Sequence, residues 1–305
     1  MVKAKQSKLL FEVPSLDSDD ADSLRSTRKK KSASKPEKPI LESTTLWDFP
    51  TQSYGKTKKG NNKYAGVTPA FIIWNLVQRY TQPGDLVVDP MAGSGTTVDV
   101  CNEEGRRVVG LDLGPAHPEV LQHDARHIPI RDESVDLVFI DSPYSDNEKY
   151  SDHPACIGKI SAEEERFFDE LEKVTQEAYR ILKPGKVLAW LIGDQWIKKR
   201  FTPVGFLLYE RLSRYFETVD LVCITRRNQS SNTGVWHYRA RKFNFYLRGF
   251  KYLFIMRKPT GAPQRERGSN TWTFYERGGS DGRIRMTQEG SVVSDDEETG
   301  GIEER

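Results

Sequence analysis

Three short stretches place residue types together that can hold and modify a ligand. The first runs Asp89, Pro90, Met91, Ala92, Gly93, Ser94, Gly95, Thr96, Thr97, directly after an apolar run. Glycines at 93 and 95 permit a tight turn and a close approach of ligand to backbone, because no Cβ intervenes. Thr96 or Thr97 can cap a helix that follows. The second ends the next apolar run at Gly110-Leu111-Asp112, about twenty residues on, where a carboxylate can accept both ribose hydroxyls of a nucleoside. Beyond it, Asp124 in QHDARHIP can meet an adenine amine, although a lone Asp in a loop also serves as a turn residue. The third stretch is Asp141-Ser142-Pro143-Tyr144, closing the run VDLVFI with a carboxylate, a proline and an aromatic ring. Asp, Ser and Pro are ordinary turn formers too. The position behind an apolar strand, downstream of a glycine loop, favours the functional reading.

These stretches need elements that bring them to one edge. TPAFIIWNLVQRY (68–80) sets Phe71, Trp74 and Val77 at helical spacing, and Pro83-Gly84 then breaks the chain. Apolar runs recur at 86–89, 108–112, 135–141, 187–192, 219–225 and 250–256, alternating with helical candidates at 97–104, 162–182 and 204–216. Near-continuous apolar strands between amphipathic helices predict an α/β fold, a doubly wound, mostly parallel sheet covered on both faces, over 44–260. Ligands of such sheets bind at the carboxyl ends of the strands, where all three stretches fall. No G-x-x-x-x-G-K-[ST] or G-x-G-x-x-G occurs, so neither a P-loop nor a dinucleotide fingerprint is present.

Outside that body, composition changes. Residues 1–43 mix Ser, Asp, Lys and Pro without hydrophobic periodicity and are expected to form a disordered tail. Residues 261–305, rich in Gly, Arg and Ser and ending in acidic residues, are expected to form a flexible one. Lys and Arg number 46 against 44 Asp and Glu, so the distribution of charge must carry any message about partners. There is no run of eighteen apolar residues and no secretory leader, which predicts a cytoplasmic protein without a membrane partner. Three separated cysteines and five histidines form no zinc or H-E-x-x-H pattern, so no metal is expected.

DPMAGSGTT, the aspartate ending the second strand and DSPY together resemble the S-adenosylmethionine-dependent DNA amino-methyltransferases that modify adenine N6 or cytosine N4. The resemblance runs from LWDFP (46–50) through ILKPG (181–185) to FYLRGFKYLFIMRK (245–258), in an order similar to the gamma arrangement. It implies a Rossmann-like class I sheet with an antiparallel terminal hairpin, and S-adenosyl-L-methionine as cofactor. It assigns cofactor binding to Thr68, Pro69, Asp89, Pro90, Met91, Ala92, Gly93, Ser94, Gly95, Thr96, Asp112, Leu113, Asp124 and Ala125. Catalysis falls to Asp141, Ser142, Pro143 and Tyr144. The Asp141 side chain and the Ser142 carbonyl would accept from the target amine, Pro143 would stiffen the loop, and Tyr144 would stack on a base extruded from its helix. Ser142 departs from the commoner D-P-P-Y form; the initial Asp resembles adenine-N6 enzymes more than the S-P-P-Y cytosine-N4 type.

From Leu221 to Gln264 there is no acidic residue, while arginines and lysines alternate with aromatic side chains. Arg226, Arg227, Asn228, Gln229, Arg239, Arg241 and Lys242, in an apparent hairpin insertion (226–241), suit phosphate tracking and base reading. The expected activity is site-specific methylation of double-stranded DNA, of the restriction-modification kind, in the cytoplasm of a bacterium, archaeon or phage host. Two alternatives stay open: a tRNA-type base methyltransferase, against which stands the short segment preceding the body, and a non-catalytic nucleic-acid-binding subunit, against which stand the intact loop and tetrapeptide. Monomer and dimer are equally compatible with the sequence.

Overall fold

Each strand of the sheet sends alternate residues to opposite faces, and the sequence makes both faces apolar. The computed structural model describes residues 39–61, 64, 66–146, 150–197, 199–227 and 234–261, together with the backbone of 275–277 and 284–286. In chain order these give β1 (Leu46–Trp47), α1 (Ala70–Tyr80), β2 (Leu86–Asp89), α2 (Thr96–Glu103), β3 (Arg107–Asp112), β4 (Val120–Gln122) and β5 (Val135–Asp141). Then follow α3 (Glu165–Ile181), β6 (Leu182–Ile192), β7 (Gln195–Ile197), β8 (Arg200–Thr202), α4 (Val204–Leu212), β9 (Glu217–Thr225), α5 (Gly234–Lys242) and β10 (Phe250–Arg257).

Eight strands form one sheet in the order β1-β9-β10-β6-β5-β2-β3-β4. The run from β6 to β4 is parallel throughout. β10 enters antiparallel between β6 and β9. In β5, Leu137 and Phe139 face the cluster built with Phe71, Ile72 and Leu76 of α1, whereas Val138 and Ile140 face the cluster built with Phe167, Leu171 and Val174 of α3. The doubly wound expectation is met, and the hairpin expected at the sheet's end is the β9–β10 pair.

Local details depart from expectation at three places. Neither threonine caps α2: its N-cap is Gly95, at φ 81°, and the Thr97 hydroxyl turns back to donate to Asp89 Oδ2 at 2.5 Å. The helix expected over 204–216 ends at Leu212, leaving Phe216 to bury its ring in a turn against Tyr179. The insertion between β9 and β10 contains the nine-residue α5, which buries no side chain. Without a buried stripe, sequence periodicity carries little signal for such a helix.

The expected N-terminal tail lies outside the described residues up to position 38. In the C-terminal stretch, a separate unit from Gly261, Tyr275–Arg277 pairs antiparallel with Ile284–Met286; its other residues fall outside the description.

Candidate active site

A cavity of about 450 Å³ opens at the carboxyl ends of β2, β3 and β5, where the strand order reverses. That volume is within the roughly 300–1,000 Å³ of small-molecule sites. Pro90, Met91, Ala92, Gly93 and Ser94 form one wall, Asp112, Leu113, Asp124 and Ala125 another, and Thr68, Pro69 and the whole of Asp141–Tyr144 face them. Asp89, Gly95 and Thr96 lie behind the wall instead. The buried Asp89 carboxylate accepts the Met91 N–H (3.0 Å) and the Thr97 hydroxyl, and burial pushes its pKa up to about 7.

Glycine is required in this loop by both backbone angle and space. Gly93 and Gly95 have φ of 39° and 81°. A Cβ at Gly93 would lie 2.7 Å from Tyr64 Cζ, and one at Gly95 would lie 2.3 Å from His117 Cγ. Tyr64, a wall residue that sequence reasoning missed, thus packs directly on the loop.

Asp112 links the loop to the end of β3. Its Oδ2 accepts the Gly93 N–H at 2.9 Å and its Oδ1 the Gly114 N–H at 2.8 Å. A carboxylate has about four acceptor sites, so these two bonds leave about two, the number that a ribose diol needs. Burial pushes the Asp112 pKa up, and the two N–H groups oppose that shift. Asp124 is held by a partner that its motif did not announce. Arg126 donates to it from Nε (2.9 Å) and Nη2 (2.6 Å), and is itself anchored by Glu170 and the Ala155 carbonyl. Burial alone would raise the Asp124 pKa; the guanidinium overcomes this and holds it below the usual range.

The tetrapeptide is fixed at three points. Thr68 Oγ1–H donates to Asp141 Oδ2 at 2.6 Å, and Lys251 Nζ lies 3.0 Å from Oδ1 and 3.4 Å from Oδ2. The Ser142 hydroxyl accepts the Trp190 indole N–H at 2.9 Å. Arg226 donates to the Tyr144 hydroxyl at 3.3 Å, and its guanidinium lies 5.8 Å from the ring centroid.

Of the residues expected to meet nucleic acid, Arg226 and Arg227 stand at the cavity, with Arg227 paired to the Asp48 carboxylate. Asn228 and Gln229 lie outside the described residues. Arg239, Arg241 and Lys242 fall on exposed α5, away from the cavity wall. Arg239 lies 5.1 Å over Trp236 and Lys242 5.6 Å over Tyr238. No carboxylate among the described residues pairs with these three cations. No helix among the described residues is long and apolar enough to cross a membrane, and no group of three or more His, Cys, Asp or Glu there is arranged to hold a metal.

This sheet order, with a glycine loop after its central strand and an acidic residue ending the next, defines a Rossmann-like class I methyltransferase. The cavity's aspartates and open loop backbone fit its cofactor, S-adenosyl-L-methionine. The chain belongs to the DNA methylase family of N6/N4 type, whose model matches residues 3–122 and 135–273. It is similar to the type II methyltransferase M.Cfr9I of Citrobacter freundii, 32% identical over 76 residues, covering 25% of this chain and 23% of the other. It is also similar to the DNA adenine methyltransferase YhdJ of Escherichia coli K12, 32% identical over 68 residues and 22% of each chain. The matches thus span about a quarter of the length of these relatives. Among solved structures, a DNA modification methylase of Thermus thermophilus in complex with S-adenosyl-L-methionine aligns with TM-score 0.32 and 22% identity, over 47% of this chain and 56% of that one.

Proposed function

We propose that this protein is a site-specific DNA methyltransferase that moves a methyl group to an exocyclic amine of a base extruded from duplex DNA, with adenine N6 as the target. The observation that carries the reading is the meeting of Asp141–Tyr144 and the glycine loop across one cavity. Family membership supports DNA as the substrate. The initial Asp of the tetrapeptide and the similarity to an adenine methyltransferase support adenine. With DNA as its substrate, the protein works in the cytoplasm beside the chromosome.

S-adenosylmethionine, when bound, supplies a methyl group made electrophilic by the positive sulfur. Asp112 accepts from the ribose, and Asp124, pre-oriented by Arg126, accepts from the adenine amine of the same molecule. On the opposite wall, the target nitrogen is a poor nucleophile because its lone pair is delocalised into the base. Asp141 and the Ser142 carbonyl each accept one N–H, which draws the nitrogen toward tetrahedral geometry and makes the lone pair available. Tyr144 supplies a stacking face for the flipped base, which offsets part of the cost of leaving the duplex.

Methyl transfer from labelled cofactor to duplex DNA, single-stranded DNA and tRNA, followed by nucleoside analysis, tests this reading. Label in duplex DNA as N6-methyladenine is expected. Label confined to tRNA, or recovered as N4-methylcytosine, would overturn the substrate or the base.

A further inference from the structure

Lys251 sits within the basic stretch that the sequence assigns to nucleic acid, yet its ammonium is turned inward. β10 begins beside the carboxyl ends of its neighbours: Phe250 pairs with Thr225 of β9, and Tyr252 with Ile192 of β6. Because β10 runs antiparallel, its second residue lies at the edge where the parallel strands finish. The Lys251 side chain is 19% exposed and the Asp141 side chain 12% exposed. The ammonium also stands 5.7 Å from the Tyr144 ring centroid. A half-buried lysine between two members of the tetrapeptide is poorly placed to follow a phosphate backbone.

We propose that Lys251 is a positioning residue for methyl transfer, acting with Thr68 to fix the carboxylate of Asp141. The inference rests on the function proposed above and adds a residue to its machinery. The Asp141 carboxylate offers about four acceptor sites. Thr68 takes one on Oδ2, and Lys251 contacts Oδ1 closely and Oδ2 more distantly. About one site is left, and one amine hydrogen is what Asp141 has to accept, since the other goes to the Ser142 carbonyl. With both oxygens tied, the carboxylate cannot rotate about its Cβ–Cγ bond, so that site keeps one direction. Removing the ammonium frees that rotation and lets a second water or an off-line amine compete. The same ammonium faces Tyr144, so a single cation sets the spacing between the group that polarises the amine and the ring that holds the base.

The test uses the full chain with Lys251→Met, Lys251→Arg and Thr68→Val, compared with wild type. Thermal melting, calorimetric affinity for S-adenosylmethionine, salt-dependent affinity for duplex DNA and the single-turnover rate at saturating DNA are measured for each. Lys251→Met is expected to keep cofactor and DNA affinity while its saturated single-turnover rate falls about 100-fold, the scale of a misplaced reacting group. Lys251→Arg should restore part of that rate, and Thr68→Val should lower it in the same direction.

A phosphate contact predicts the reverse pattern. The salt slope would drop by about 0.9, DNA affinity would fall, and the saturated rate would stay at the wild-type value; that pattern overturns the proposal. A Lys251→Met protein that melts early gives no rate of its own, and the decision then passes to Thr68→Val and Lys251→Arg, whose wild-type rates would equally overturn it. Wild-type protein that methylates none of the offered nucleic acids contradicts the proposed function itself. Active wild type with unaffected variants contradicts only the role of Lys251.

Discussion

The indole N–H of Trp190 donates to the Ser142 hydroxyl at 2.9 Å, joining β6 to the loop that leaves β5. Trp190 is completely buried and Ser142 nearly so, and Trp190 lies opposite Ile140, two residues before Ser142. A buried indole N–H needs a partner, and a proline at position 142 would have none to offer. The serine that departs from the commoner tetrapeptide therefore exchanges the stiffness of a ring for a hydrogen bond into the sheet.

Ser142→Ala should destabilise the protein by about 1–3 kcal/mol, the cost of leaving a buried donor unsatisfied. Trp190→Phe combined with Ser142→Ala removes both partners and should recover the part due to the orphaned N–H. Denaturant unfolding of the two single variants and the double variant measures the coupling. Strictly additive losses would mean that the bond contributes nothing.

Asp112→Ala should weaken S-adenosylmethionine binding by about 1–3 kcal/mol, through the lost charge-assisted bonds to ribose. The same carboxylate joins Gly93 to Gly114, so calorimetry is interpreted beside a melting curve. Unchanged affinity in a folded variant would remove Asp112 from the cofactor site.

Asp89 gives the fold a pH dependence of definite sign. The unfolded chain releases this proton near 3.8, whereas burial delays release in the folded chain to about 7. The folded state therefore binds the proton more tightly. This contribution to stability is fully present below pH 3.8, declines as pH rises, and is lost above about 7. Each unit of displacement corresponds to about 1.4 kcal/mol. Asp89→Asn, which cannot titrate, should lack that decline when melting temperature is followed from acid to neutral pH. Parallel profiles for the two proteins would count against it.

Much of this was legible from apolar runs and turn chemistry. The strand ends at Asp89, Asp112 and Asp141 follow from apolar runs closed by turn residues, and their meeting follows from parallel winding. Lys251 was hidden because its role depends on β10 entering antiparallel between β6 and β9, a non-local fact. Along the chain it is one cation in a stretch of many. Trp190 in VLAWLI is indistinguishable from a core residue until its indole partner is seen. Tyr64 gave no signal, since the packing demand it places on Gly93 crosses a loop with no periodicity. Arg226 and Arg227 carried the right charge, but Tyr144 and Asp48, which receive them, lie far away in sequence.

The cations of α5 should act on DNA through phosphate. If Arg239 and Arg241 neutralise phosphates, Arg239→Ala with Arg241→Ala should lower the slope of log affinity against log salt by about 0.9 for each phosphate no longer neutralised. Binding should weaken alike on all sequences, and the methylated sequence should stay the same. Fluorescence anisotropy across a salt series, with sequencing of methylated DNA, measures both. An altered methylation sequence would instead make α5 a reader of bases.

Asp141 stands at the centre of the proposed chemistry, acting on the reacting amine across the cavity from the cofactor. The most direct test of that role is the single-turnover rate of Asp141→Ala on duplex DNA, with S-adenosylmethionine affinity measured on the same preparation. Cofactor affinity is predicted to survive while methyl transfer is nearly abolished. A transfer rate close to wild type in that variant would contradict the role.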